Sequence, residues 1–261
     1  MRKKILVVGC SFSHHIWDGD NNKENSWPDW MKSEFGNTLY VMNLSIPGAS
    51  NELIKRLITK KVLEEHWDYV IIQWSTIDRW DYPIQHEENT VFVRYWPCGS
   101  NLQGKNEYFY KHYYSTYGAV IDTLENILFL QQLLESENTP YTMITIGNLF
   151  TLSTTIQQIQ NLMTSGGDYY GQQENVLEKI ERMQNIFLDT DSIPFLLKKI
   201  NYDKFLFTDN IRNPMGGGML EWLYKTKKDY PKTNWHFNHQ QSYDFFNEFI
   251  KPKILIPNGL I

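Results

Sequence analysis

Residues 4–13 read KILVVGCSFS, and this stretch decides the fold of the chain. Consecutive aliphatic residues over Ile5–Val8 are typical of a strand that is buried on both faces of a parallel sheet. We therefore predict a first strand over Lys4–Gly9. Ligands of such sheets bind just beyond the carboxyl ends of the strands, so the residues that follow Gly9 are candidates for a functional site. The first nucleophilic hydroxyl among them belongs to Ser11.

Strand-like and helix-like segments alternate beyond this stretch. Short apolar runs predict strands, and apolar residues three or four positions apart predict helices. The predicted strands are Leu39–Leu44, Asp68–Trp74 and Tyr141–Gly147, and the predicted helices are Ser50–Glu65 and Tyr117–Glu137. This order predicts a three-layer α/β/α sandwich with a mainly parallel sheet.

Two polar and aromatic regions, residues 81–116 and 152–200, interrupt the alternation. Long loops without structure are uncommon inside compact domains unless they serve as lids or binding loops. We therefore predict that both regions are insertions that form a cap on a single domain spanning residues 1–261. The chain has 9 Trp, 16 Tyr and 14 Phe. Aromatic side chains fill cores, and they also bind flat or amphipathic ligands such as sugars.

The composition argues against several classes of partner. A net charge of -5 and a pI near 5.8 disfavour nucleic acid as the main ligand. No apolar run approaches the ~20 residues that span a bilayer, and the run before Gly9 is shorter than the ~7–15 residues of an export signal. Cys10 and Cys98 cannot form a disulfide framework, which favours a reduced, cytoplasmic location. Nothing in the sequence indicates an oligomeric state.

Ser11 stands where we predict a helix to begin. The free backbone N–H groups at a helix start would surround its hydroxyl and could stabilise an oxyanion. The alternative is that Ser11 only caps the helix. A dinucleotide-binding fingerprint, G-x-G-x-x-G, fits poorly, because two of its three glycines are missing from Gly9–His14.

Two later segments carry further candidates. In Asn43–Asn51, Gly48 would let the backbone approach a ligand and offer its N–H, and Asn51 is either an oxyanion donor or a helix cap. Near the end of the chain, His236 precedes an aromatic helix with Tyr243, Phe245, Phe246 and Ile250. A histidine in that place is either a general base or a capping or surface residue.

Together these motifs resemble the SGNH (GDSL-type) hydrolase superfamily, whose members are esterases, lipases and carbohydrate deacetylases with a flavodoxin-like sandwich. The segment Gly9–Ser13 resembles the first block, with G-C-S in place of G-D-S, which implies that Ser11 is the nucleophile. The segment Asn43–Gly48 resembles the second block and implies an oxyanion role for the Gly48 N–H. His236 resembles the histidine of the last block, which implies the role of base.

The chain departs from the superfamily at two positions. Ile77 stands where the third block, G-x-N-D, has its asparagine, so that oxyanion donor would have to come from Asn51, Ser75 or Arg79, in that order. Thr233 stands where the last block has an aspartate, and a hydroxyl orients an imidazole without stabilising the imidazolium. A backbone carbonyl or a distant acid could replace it, and the candidates are Asp209 and Asp229.

We therefore expect a serine esterase that hydrolyses an O-acyl ester, most simply an O-acetyl ester on a sugar or glycan, through an acyl-enzyme on Ser11. The alternatives are a binding module that kept the pocket and lost the chemistry, and a nucleotide-binding protein. We predict no cofactor and no metal, because the histidine pairs lack the usual zinc spacings and Met215–Met219 lacks the ending of a phosphate-binding loop. Those pairs are His14-His15 and His236 with His239.

Overall fold

The computed structural model describes residues 2–14, 16–17, 23–24, 26–86, 89–95, 105–147, 149, 192–208, 217–226 and 237–261. The strands in these ranges are β1 (Lys3–Val8), β2 (Ile16–Trp17), β3 (Lys23–Glu24), β4 (Leu39–Asn43), β5 (Tyr69–Trp74), β6 (Trp80–His86), β7 (Asn89–Tyr95) and β8 (Tyr141–Thr145). The helices are α1 (Trp27–Phe35), α2 (Asn51–Glu64), α3 (Lys105–His112), α4 (Thr116–Ser136), α5 (Ser192–Lys199), α6 (Met219–Thr226) and α7 (His239–Phe245). A π-helical segment, Phe246–Leu255, continues α7.

The main sheet contains four parallel strands in the order β4-β1-β5-β8. Phe205 adds a parallel bridge to Met143 on the free side of β8. The chain first builds outward from β1 to β4 and then returns to the other side of β1, which is the flavodoxin-like order. In such sheets a crevice opens where the order reverses, beyond the carboxyl ends of the strands on either side. Here that place is the end of β1, between β4 and β5.

Helices cover both faces of this sheet. On one face α2 packs against α4 and α4 packs against α5, whereas on the other face α1 packs against α7 and the π-helical segment. The side chains of Ile5–Val8 in β1 are fully buried between these layers. The predicted three-layer sandwich and its buried first strand are therefore confirmed for the described residues. The aromatic helix predicted at the end of the chain is also present, as α7 and its π-helical continuation.

The boundaries of the elements differ from the predicted ones by one or two residues. The strand predicted to end at Leu44 ends at Asn43, although the Leu44 N–H still donates a hydrogen bond to the Val7 carbonyl at 2.9 Å. The helix predicted from Ser50 begins at Asn51, because Ser50 is its N-cap and accepts a hydrogen bond from the Leu53 N–H.

The two predicted insertions are described to different extents. Residues 81–116 contain most of an antiparallel hairpin, β6 and β7, and the helix α3. Of residues 152–200, only 192–200 are described, and they form α5 and the residue after it. The cap and the single-domain arrangement stay predictions. In the described parts of the chain, no helix is long and apolar enough to cross a membrane.

Candidate active site at the carboxyl ends of the strands

The turn after β1 carries Ser11 without a helix behind it. Residues 11–13 form a turn that is closed by a hydrogen bond from the Ser13 N–H to the Cys10 carbonyl at 3.0 Å, and the next helix among the described residues is α1, which begins at Trp27. The prediction that a helix begins at Ser11 is therefore wrong, and Ser11 neither caps a helix nor lies at the positive end of a helix dipole. The polar sequence between Ser13 and Trp27 lacks the apolar stripe that would hold a helix against the sheet.

Ser11 itself is half-buried, and its hydroxyl makes one weak contact, 3.9 Å from its Oγ to the Cys10 Sγ. Within the described residues, no hydrogen bond of the Ser11 backbone N–H is recorded. The turn therefore leaves both a hydroxyl and a backbone donor of Ser11 unused by the fold. Acyl-transfer sites use such a pair, with the hydroxyl as the nucleophile and the backbone N–H as an oxyanion donor.

Gln73 holds this turn from below. This residue of β5 is fully buried, and its Oε1 accepts hydrogen bonds from the Cys10 N–H at 3.0 Å and from the Ser13 hydroxyl at 3.1 Å. Its Nε2 donates to the Trp74 carbonyl at 2.7 Å, so both ends of the amide are hydrogen-bonded. Gln73 lies outside every motif singled out in the sequence. The available signal was an amide inside the otherwise apolar run Tyr69–Trp74, since a buried amide needs partners.

Two more side chains fix Ser13. The Trp27 Nε1 donates to the Ser13 hydroxyl at 3.1 Å, and the Asn43 Nδ2 donates to the Ser13 carbonyl at 2.7 Å. The Asn43 Oδ1 also accepts from the Ser45 N–H at 3.0 Å, so Asn43 ties the turn after β1 to the turn after β4. Both turns therefore form one hydrogen-bonded unit at the reversal of the sheet.

The turn after β4 presents Gly48. The Ile46 N–H donates to the Gly9 carbonyl and the Ala49 N–H closes the turn onto the Ile46 carbonyl, both at 3.0 Å. Pro47 and Gly48 are the central residues, and Gly48 has a φ of 75°, a conformation that favours glycine. For the part of the chain that is described, no acceptor is recorded for the Gly48 N–H.

The side chain of Asn51 is fully hydrogen-bonded within the protein. Its Nδ2 donates to the Ser75 carbonyl at 3.3 Å and to the Thr123 hydroxyl at 3.1 Å, and its Oδ1 accepts from the Ser75 N–H at 2.8 Å. Both amide hydrogens are thus taken by the protein, which leaves none for an oxyanion. The alternative assignment of Asn51 as a helix cap is wrong, because Ser50 is the cap of α2.

The turn after β5 brings Ser75 and Arg79 together. The Arg79 guanidinium donates to the Ser75 Oγ at 3.0 Å, and the Ser75 N–H is taken by Asn51. Ile77 is half-buried in this turn and supplies no side-chain donor. Farther along, the Asp81 carboxylate accepts from the Ser50 N–H at 2.6 Å and joins β6 to the start of α2. Of the alternatives to the missing asparagine, Asn51 has both amide hydrogens taken, and the Arg79 guanidinium binds the Ser75 Oγ.

The predicted base and its supports, His236, Thr233, Asp209 and Asp229, lie outside the described residues. The residue after His236 is described, however. Phe237 is buried, and its ring lies 5.7 Å from the ring of Phe12, edge to face. The same phenylalanine also packs against Trp222 and Phe245. No group of three or more His, Cys, Asp and Glu side chains suited to a metal ion occurs in the described ranges.

No protein-family model matches the chain, and no curated protein does. Among solved structures, the chain is similar to a GDSL-like lipase from Parabacteroides merdae, with 11% identity and a TM-score of 0.44 over 100% of this chain and 98% of that one. An acetyl xylan esterase from Geobacillus stearothermophilus has 14% identity and a TM-score of 0.42 over 95% and 93%. A Bacillus subtilis protein has 14% identity and a TM-score of 0.33 over 56% of this chain, and the match spans only 33% of that protein. GDSL-type hydrolases are the proteins that the sequence motifs resemble.

Proposed function

We propose that the chain is a serine esterase that hydrolyses an O-acyl ester, with Ser11 as the nucleophile and His236 as the base. One contact carries the proposal. The ring of Phe12, which follows Ser11, packs 5.7 Å from the ring of Phe237, which follows His236. Both rings are buried, so the chain neighbours of the nucleophile and the base meet in the core beside the end of β1.

The reaction proceeds through an acyl-enzyme. The Ser11 Oγ attacks the acyl carbonyl carbon while His236 takes its proton, and the carbonyl electron pair moves onto the oxygen. When the tetrahedral intermediate collapses, the bond to the alkoxy oxygen breaks, and the imidazolium returns the proton to the leaving alcohol. Water, deprotonated by His236, then attacks the acyl group and releases the carboxylic acid and free Ser11.

The oxyanion of the intermediate would be held by backbone N–H groups. The Ser11 and Gly48 N–H groups are candidates because neither has another acceptor in the described residues. The hydrogen bond from the Ile46 N–H to the Gly9 carbonyl also holds the two turns next to each other. Removal of one oxyanion donor costs about 10²–10³ in turnover in well-studied enzymes, so two backbone donors still support catalysis.

Exposed rings near this edge support a sugar-linked ester. Tyr82 of β6 is 59% exposed, and Tyr108 and Tyr113 of the α3 region are 56% and 69% exposed. The α3 region is attached to the turn after β5, because the Tyr110 hydroxyl donates to the Asp78 carbonyl at 2.6 Å. Aromatic faces bind the C–H faces of pyranose rings, and the phenolic hydroxyls offer hydrogen bonds to sugar hydroxyls.

The first test is covalent labelling by a fluorophosphonate, with hydrolysis of p-nitrophenyl acetate measured in parallel. We expect stoichiometric labelling at Ser11, and loss of both signals in Ser11→Ala and His236→Ala. The matched control is Ser136→Ala, which removes an exposed hydroxyl at the far end of α4 and should change neither signal. Full hydrolysis by Ser11→Ala would overturn the mechanism.

The second test concerns the sugar. Tyr82→Ala and Tyr113→Ala should raise the KM for an acetylated oligosaccharide and leave the KM for p-nitrophenyl acetate unchanged. Tyr40→Ala is the control, because Tyr40 is an exposed tyrosine near the amino end of β4. An equal effect on both substrates would contradict sugar binding by these rings.

A second function, that of a binding module without catalysis, is favoured by the lack of an oxyanion donor at the turn after β5. Ile77 supplies no donor, and the amide hydrogens of Asn51 are taken by Ser75 and Thr123. This function predicts saturable binding of the oligosaccharide by a chain that the fluorophosphonate does not label. Labelling of Ser11 that disappears in His236→Ala would exclude it.

A further inference from the structure

We propose that Gln73 is the positioning residue of the candidate active site and sets the geometry of the Ser11 turn. This role deepens the proposed function and rests on it, because Gln73 can position a nucleophile only if Ser11 is one. Gln73 Oε1 is the shared acceptor for groups on either side of Ser11, the Cys10 N–H at 3.0 Å and the Ser13 hydroxyl at 3.1 Å. Ser11 lies between these two attachment points, so the amide fixes the turn without touching its central residue.

Burial makes this attachment rigid. Gln73, Cys10 and Ser13 are each fully buried, so water cannot replace a lost hydrogen bond. The amide is also held from behind by its own bond to the Trp74 carbonyl. A buried oxygen that accepts twice and cannot rotate away restricts the turn more than the backbone bond from Ser13 to Cys10 does alone.

The close approach of Gly9 supports the same role. A Cβ at position 9 would lie 2.7 Å from Gln73 Oε1 and 2.8 Å from Gln73 Cβ. The glycine therefore admits the glutamine side chain directly beneath the turn. Such close contact is expected if the role of Gln73 is to hold the Ser11 turn in position.

The control variant lies in α4. Gln131 is also buried, and it makes two hydrogen bonds to a backbone, from its Nε2 to the Asn201 carbonyl and from the Asn201 N–H to its Oε1, both at 2.9 Å. Gln131→Leu and Gln73→Leu therefore make the same chemical change at two buried sites. Only the second change affects the turn after β1.

The test compares Gln73→Leu with Gln131→Leu by two readouts. Hydrogen exchange of the peptide covering residues 9–13 reports the turn whether or not the chain is an enzyme, and the rate of fluorophosphonate labelling reports the nucleophile. We expect faster exchange in Gln73→Leu only, labelling slowed about tenfold or more, and a fall in kcat for the ester with KM within about twofold. Should Gln73→Leu fail to fold, Ser13→Ala removes one of the two attachments together with the acceptor of Trp27, and it should give the same changes at smaller size, beyond those of Trp27→Phe.

The outcomes separate the two proposals. A wild-type chain that is not labelled overturns the esterase, while the exchange data still decide whether Gln73 fixes the turn. Unchanged exchange and labelling in Gln73→Leu would overturn the positioning role. So would equal changes in Gln131→Leu, because these would reflect a general loss of stability.

Discussion

Replacement of Gly9 by alanine tests how closely the turn and β5 are fitted together. The added Cβ would lie 2.7 Å from Gln73 Oε1, 2.8 Å from Gln73 Cβ and 3.1 Å from Ser13 Oγ. Real Cβ atoms essentially never approach other heavy atoms within 3.0 Å, so either the turn or the glutamine has to move. Both neighbours are fully buried, and neither can move into solvent.

The expected loss of stability follows from two contributions. Overfilling a well-packed core costs about 1–3 kcal/mol. Displacement of Gln73 also weakens its hydrogen bonds to Cys10 and Ser13, each of which contributes about 1 kcal/mol. We expect Gly9→Ala to lower the free energy of unfolding by about 2–4 kcal/mol, a large share of the ~5–15 kcal/mol that stabilises an ordinary domain.

Urea denaturation followed by circular dichroism measures this loss, and the same substitution elsewhere in the chain provides the control. Gly118 lies in the first turn of α4, where an added Cβ would meet only Ser115, at 3.6 and 3.8 Å. Alanine is favoured over glycine inside helices by up to about 1 kcal/mol, so Gly118→Ala should be neutral or stabilising. Equal stability of Gly9→Ala and wild type would refute the fitted geometry.

Three further substitutions test other parts of the structure. Trp27→Phe keeps a ring in the core and removes the donor to Ser13, so we expect a loss of about 1–2 kcal/mol on urea denaturation, and no loss would contradict that bond. Asn51→Leu leaves the backbone N–H and carbonyl of Ser75 buried without their partner, and we expect a loss of about 2–4 kcal/mol in the same assay. Burial, then Glu125 and Glu52, raise the pKa of Asp122 above its ordinary value of 3.8. A raised pKa means that the folded state loses stability as the pH rises through it, so Asp122→Asn should melt at a higher temperature than wild type at pH ~7, with the difference closing near pH ~3.

The layers of the fold could be predicted because they depend on the spacing of apolar residues within each strand and helix. Four aliphatic residues in a row at Ile5–Val8 leave no polar face, and such a strand is stable only between two layers. The apolar residues of α2 recur every three or four positions, and this spacing alone predicts a helix with one buried face. The candidate turns followed from the same reasoning, since parallel strands end at one edge.

The contacts within the site could not be predicted in this way. The sequence predicts a helix start at Ser11 because most parallel strands lead into a helix, whereas here a turn held by Gln73 follows β1. The side chain of Asn51 suits a helix cap or a catalytic donor equally well. Only its hydrogen bonds to Ser75 and Thr123 show that it instead links neighbouring elements. Both outcomes depend on residues more than 20 positions away along the chain.

The side-chain contacts that secure the Ser11 turn have one more property in common. Gln73, Ser13, Trp27 and Asn43 are uncharged, and so are the backbone groups that they bind. Hydrogen bonds between neutral groups do not titrate, and dissolved salt screens them little. The shape of the Ser11 turn should therefore persist across acidic and saline conditions, and any sensitivity of the chemistry to them would come from the reacting groups or from the charged contacts of Asp81 and Arg79.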